Sequence, residues 1–80
     1  MVTIRLFASL KDVAGIGSLS LTPKSETTAR TLFLDLVERF PDLSRYQKHL
    51  LVAVNEEYAR LDTPVQDGDE VAFFPPVSGG

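Results

Sequence analysis

One apolar stripe narrows the fold of this chain more than any other feature. Ala29, Leu32, Phe33, Leu36, Val37 and Phe40 fall at i, i+3, i+4, i+7, i+8 and i+11, the spacing that lines apolar side chains along one side of an α-helix. Thr27 or Thr28 can cap its start by accepting a backbone N–H. Pro41 marks its end, because proline lacks the N–H that would continue the ladder. Leu34 lies off the stripe, and an isolated outward leucine is too common to be given a role. The 80 residues make one small domain, able to bury roughly 60% of its unfolded surface, with no room for a deep enzyme cleft.

Short extended segments surround the helix. Val2, Ile4, Leu6 and Ala8 alternate with Thr3, Arg5 and Phe7, which predicts a strand with one face on a core. On that pattern Phe7 shares the polar face, either lying over a loop or meeting a partner. Ser9 to Ala14 suits a short helical turn ending at Gly15. Leu19 and Leu21 then alternate with serines up to Pro23, so the first two strands form a hairpin with a long connection. After the helix, residues 42–49 read as a surface loop with a short helical turn, anchored by Leu43 and Tyr46. Leu50 to Val54 is a β-prone run, Asn55-Glu56-Glu57 a turn and Tyr58-Ala59-Arg60 a short extended piece. Asp67-Gly68-Asp69 turns the chain into a last strand, Glu70 to Phe74. There Val71 and Phe73 share one face, Ala72 and Phe74 the other. Packing Phe73 inward leaves Phe74 near the surface. Phe7, Tyr58 and Phe74 are therefore a candidate partner patch, and equally some of them close the sheet. With no repeat or linker, residues 1–74 form the domain and 75–80 an extended tail.

Composition excludes several function classes. The 44% hydrophobic and 24% charged content is that of an ordinary globular chain. A net charge of −3 argues against nucleic acid, which requires clustered Lys and Arg. Residues 1–54 carry seven Lys/Arg against five Asp/Glu, whereas residues 55–80 carry Arg60 against six acids, so the half nearer the tail suits a basic partner surface. Without cysteine there is no disulfide, thiol nucleophile or thiolate metal site. His49 is the lone histidine, so no metal is expected. No signal-peptide pattern and no run of roughly 20 apolar residues occurs, so no membrane role and a cytoplasmic location are expected. Glu56-Glu57 and Asp67-Gly68-Asp69 read as solvated turns. Gly15 and Gly17 lack the spacing of a phosphate loop, and Ser78 has no base beside it. The chain is not an independent catalyst.

The tail has its own logic. Phe73-Phe74 runs into Pro75-Pro76, whose fixed φ favours a stiff extended path, and then into Val77-Ser78-Gly79-Gly80. Six residues span at most roughly 20 Å, enough to enter another protein's pocket. Glycines at 79 and 80 let the backbone pass a narrow channel, leaving the Gly80 carboxylate at the tip. The competing reading is an ordinary frayed end.

These residues resemble a known family. Phe7-Ala8-Ser9-Leu10-Lys11-Asp12-Val13-Ala14-Gly15, Ala53-Val54-Asn55, Asp67-Gly68-Asp69-Glu70-Val71 and Phe74-Pro75-Pro76-Val77-Ser78-Gly79-Gly80 are similar to the MoaD-type sulfur carriers, the small subunits of molybdopterin synthase. The resemblance covers nearly the whole chain and is most specific in the last fourteen residues. It implies an α+β, ubiquitin-like β-grasp fold: a mixed sheet of four to five strands packed on one main helix, with an extended C-terminal tail. It also implies that the Gly80 carboxylate is adenylated by an activating enzyme using ATP, then converted to a thiocarboxylate with a sulfur donor protein. The tail (Pro75, Pro76, Val77, Ser78, Gly79) then enters the large synthase subunit, where the sulfur passes to a cyclic pyranopterin. Such synthases are heterotetramers, and the carrier binds no cofactor of its own. The alternatives are a thiazole-pathway carrier or a ubiquitin-like protein modifier, both acting through Gly80, and a ubiquitin-like interaction module with no chemistry at its end.

Overall fold

The computed structural model describes residues 1–23 and 27–76. Alternation in the first segment gives β1 (Val2–Leu6), which buries Val2, Ile4 and Leu6 and exposes Thr3 and Arg5. The chain then leaves the sheet through Ala8, at a positive φ of 53°, into α1 (Ser9–Ala14). This short helix is closed by Gly15, whose φ of 79° is the left-handed cap a Cβ disfavours. β2 (Ser18–Leu21) returns antiparallel to β1, completing the expected hairpin.

β3 (Thr27–Thr28) leads into α2 (Ala29–Arg39). Thr28 is the cap. Its hydroxyl accepts from the Thr31 N–H at 3.3 Å while the Thr31 hydroxyl accepts from the Thr28 N–H at 2.7 Å, a capping box built from two threonines. The Ala29 and Arg30 N–H groups donate to the carbonyls of Thr63 and Leu61 at 3.1 and 2.8 Å, so the helix start is also tied to a distant loop. Ala29, Leu32, Phe33 and Leu36 are buried, and Val37 and Phe40 complete the stripe half-buried. Pro41 ends this helix and opens a 3-10 turn, Pro41–Tyr46, that buries Leu43.

β4 (Leu51–Val54), β5 (Glu57–Ala59), β6 (Pro64–Val65) and β7 (Glu70–Phe74) follow. The main sheet is mixed, in the order β2-β1-β7-β4-β5, with the first and last strands parallel at its centre and the other pairs antiparallel. α2 lies on one face. Phe33 meets Phe73 at 5.3 Å between ring centroids, tilted 60°, within a core that also holds Ile4, Leu6, Leu32, Leu36 and Val71. One helix over a five-stranded mixed sheet is the expected α+β architecture.

Three local readings change. The β4–β5 turn holds two residues, not three: Asn55 and Glu56 take φ of 52° and 70°, the pair of positive φ values that joins twisted strands tightly, so β5 starts at Glu57. Arg60 leaves the strand, because its N–H donates to the Thr63 hydroxyl at 2.9 Å and its carbonyl accepts from the Thr63 N–H at 3.1 Å. A separate antiparallel pair, β3 with β6, was not foreseen, since two-residue strands are too short to carry a period.

Candidate functional site

The face of the sheet opposite α2 carries the side chains that alternation sends outward. Arg5, Ala72, Ala53 and Tyr58 lie in one row across four strands, as the register pairs Arg5 with Ala72, Ala72 with Ala53 and Ala53 with Tyr58. Phe7 and Phe74 stand beyond this row, where β7 ends and the tail begins. Their rings stack at 4.8 Å between centroids and 12° between planes. The sharp exit at Ala8 lets Phe7 stay beside Phe74 while the chain turns into α1, where the Leu10 N–H donates to the Phe7 carbonyl at 3.1 Å.

A groove of about 290 Å³ runs across this face. Its floor is small, Ala53 and Ala72; the aromatic stack and Tyr58 line it, together with Arg5, Glu56 and Glu70. The Arg5 guanidinium lies 5.5 Å from the Phe7 ring centroid and 3.6 Å from the Glu70 carboxylate, joining stack and rim. Both ends of that ion pair are about half exposed, so it orients side chains more than it stabilises the fold.

The structure therefore brings Phe7, Tyr58 and Phe74 to one face. Phe7 and Phe74 are half-buried by each other, which closes the sheet end and still leaves an apolar wall, whereas Tyr58 is 83% exposed. Pro75 is half-buried and Pro76 exposed. Val77, Ser78, Gly79 and Gly80 lie outside the described residues. Arg5, Ala53, Glu56, Glu70 and Ala72 were missed as groove residues. The signal available for Arg5 and Ala72 was their place two residues from Phe7 and Phe74; Ala53 and Glu56 needed the strand register.

Glu56, Glu57 and Asp67 are exposed, as solvated turns should be, while Asp69 is held in place. Asp69 accepts from the Gln66 N–H at 2.8 Å and from the Asn55 side-chain amide at 3.0 Å, while the Asn55 side-chain oxygen accepts from the Glu70 N–H at 3.0 Å. The Gln66 and Asn55 donors hold the Asp69 carboxyl below its ordinary value by favouring the charged form. Asp67 pairs with the amino terminus of Met1. These contacts fix the sheet end remote from the tail. Among the described residues no three His, Cys, Asp or Glu side chains gather as a metal site, and no helix is long and apolar enough to cross a membrane.

Comparison with known proteins covers the same ground. The ThiS family model matches residues 4–80. The molybdopterin synthase sulfur carrier subunit of Dictyostelium discoideum is 39% identical over 96% of this chain and 93% of its own length. That of Arabidopsis thaliana is 35% identical over 99% and 82%. Among solved structures, the H. volcanii small archaeal modifier protein 1 superposes with a TM-score of 0.84 at 33% identity, covering 95% of this chain and 97% of the other.

Proposed function

This chain belongs to the ThiS family, and from that premise we propose that it is the sulfur carrier subunit of a molybdopterin synthase. The observation that carries the reading is similarity over nearly the whole chain, at 35% and 39% identity, to two proteins named as such subunits. The groove at the root of the tail supports it. A carboxylate is a poor electrophile. Adenylation of Gly80 by an ATP-dependent activating enzyme releases pyrophosphate and makes AMP the leaving group. The terminal sulfur of a donor persulfide displaces AMP to form an acyl disulfide, and a second thiol cleaves that disulfide, leaving the Gly80 thiocarboxylate and a disulfide on the donor side. The large synthase subunit then takes up the tail and passes the sulfur to a cyclic pyranopterin. The chain carries and delivers the sulfur that the donor supplies, and the partner supplies the pocket.

Phe7, Phe74 and Tyr58 form the docking face in this reading. The alanine floor admits an apolar side chain of the partner, and Glu56 and Glu70 favour basic residues beside it. Pro75 and Pro76 limit the freedom lost as Val77, Ser78 and Gly79 thread inward. A residue added after Gly80 is expected to abolish sulfur transfer to the pterin while the domain still folds. Full pterin conversion by such a variant, assayed with the large subunit, would refute the carrier role.

A second reading has its own support, the likeness to a protein named as a small archaeal modifier. The same activated Gly80 would then be joined to a lysine of another protein. The two readings differ in the acceptor. Isopeptide-linked conjugates in cells lacking pterin synthesis favour the modifier, and co-purification with a pterin-binding large subunit favours the carrier.

A further inference from the structure

A second groove, of about 540 Å³, lies on the helix side of the sheet and shares no residue with the groove at the tail root. Leu34, Leu50 and Leu61 give it an apolar floor, and Arg30, Arg45 and Lys48 line it with cations. An adjoining depression shares Arg30, Leu50 and Leu61 and adds Arg60. Three of the eight Lys and Arg residues of a chain with net charge −3 thus line this groove, and Arg60 lies in the depression that continues round the sheet edge to Tyr58. The main groove has no carboxylate in its lining; Asp62 is the one acid in the depression beside it. Among the described residues the two ion pairs are Met1 with Asp67 and Arg5 with Glu70, so none of these four cations has a described carboxylate within ion-pair distance.

Leu34 sits off the core stripe and is 39% exposed on this groove, where an apolar side chain gains by being covered. We propose that the groove docks an acidic amphipathic helix of a partner protein. Its apolar side would lie on Leu34, Leu50 and Leu61, and its carboxylates would face Arg30, Arg45 and Lys48. Charge complementarity selects the acid, and the leucine floor selects a peptide over a phosphate backbone. The one aromatic in the lining, Phe33, is buried and offers no ring face on which a base could stack. Because the two grooves share no residue, both can be occupied together. The inference stands apart from the sulfur-carrier reading.

The test uses the full-length ¹⁵N-labelled chain and a synthetic helix of about 15 residues, long enough to hold helical structure, with leucines on one face and glutamates elsewhere. Saturable amide shifts are expected at Arg30, Leu34, Arg45, Lys48 and Leu61, with Phe7 and Ala72 unmoved. The exposed-site double variant Arg45→Glu/Lys48→Glu should keep its dispersed spectrum and bind about tenfold or more weakly, because two attractions become repulsions. A peptide with lysine replacing glutamate should not bind. The proposal is overturned if shifts fail to saturate, if they map to the outer sheet face, or if the lysine peptide or the double variant binds equally well. It is equally overturned if a short DNA duplex occupies the groove and the peptide does not, or if the chain alone self-associates through the groove.

Discussion

Asn55 shows how much can rest on one side chain. Its positive φ closes the β4–β5 turn, its amide donates to Asp69 and its oxygen accepts from the Glu70 N–H. Asn55→Ala removes both bonds and places alanine where asparagine is better tolerated, so a loss of about 2 kcal/mol in denaturant unfolding is expected. The same network sets an acid limb. Asp69 binds its proton less readily folded than unfolded, so its contribution is present above about pH 4 and is lost as pH falls through the lowered folded value. Asp69→Asn should flatten stability against pH in that window, measured by urea unfolding at stepped pH. The period-two pattern already put Phe7 and Phe74 near the surface; the stack between them depended on the parallel pairing of β1 with β7, a contact between chain ends that no local pattern encodes. Tyr58→Ala, at an 83% exposed site, should change stability by less than about 0.5 kcal/mol and yet weaken capture of the large subunit by about tenfold.

At the scale of elements, α2 was the easiest to read. Its stripe spans three turns and its ends carry a threonine cap and a proline, so pattern, cap and packing agree. Thr28→Ala should cost about 1 kcal/mol by leaving the Thr31 N–H without its hydroxyl partner. Leu36→Ala, which opens space under a fully buried side chain, should cost about 3 kcal/mol. Comparing the two by thermal unfolding separates what the cap contributes from what the core contributes. The strands at either end were legible because one face is buried. β3 and β6 were not: two residues cannot show alternation, and their pairing follows from the tie between the helix start and residues 61–63. The hairpin turn was misjudged by one residue, since the sequence marks a polar turn without fixing which two residues take positive φ.

At the scale of the whole molecule, the parallel pairing of first and last strands places the tail root beside the end of β1. Folding the domain therefore also fixes where Pro75 leaves the sheet. The outer groove, with its aromatic stack, stands next to the point where Pro75 leaves the sheet. The tail motif itself was readable from composition and order, since Pro75-Pro76 and Gly79-Gly80 have physical meanings that need no fold. The groove beside the tail root was only half readable, because the alanines that floor it are distant in sequence and become neighbours through register. The most direct test of the account is the intact mass of this chain after incubation with a matching activating enzyme, ATP and a sulfur donor. Exchange of one oxygen for sulfur, localised by fragmentation to Gly80, is the predicted result; an unchanged mass, with an enzyme shown to be active on another carrier, would contradict it.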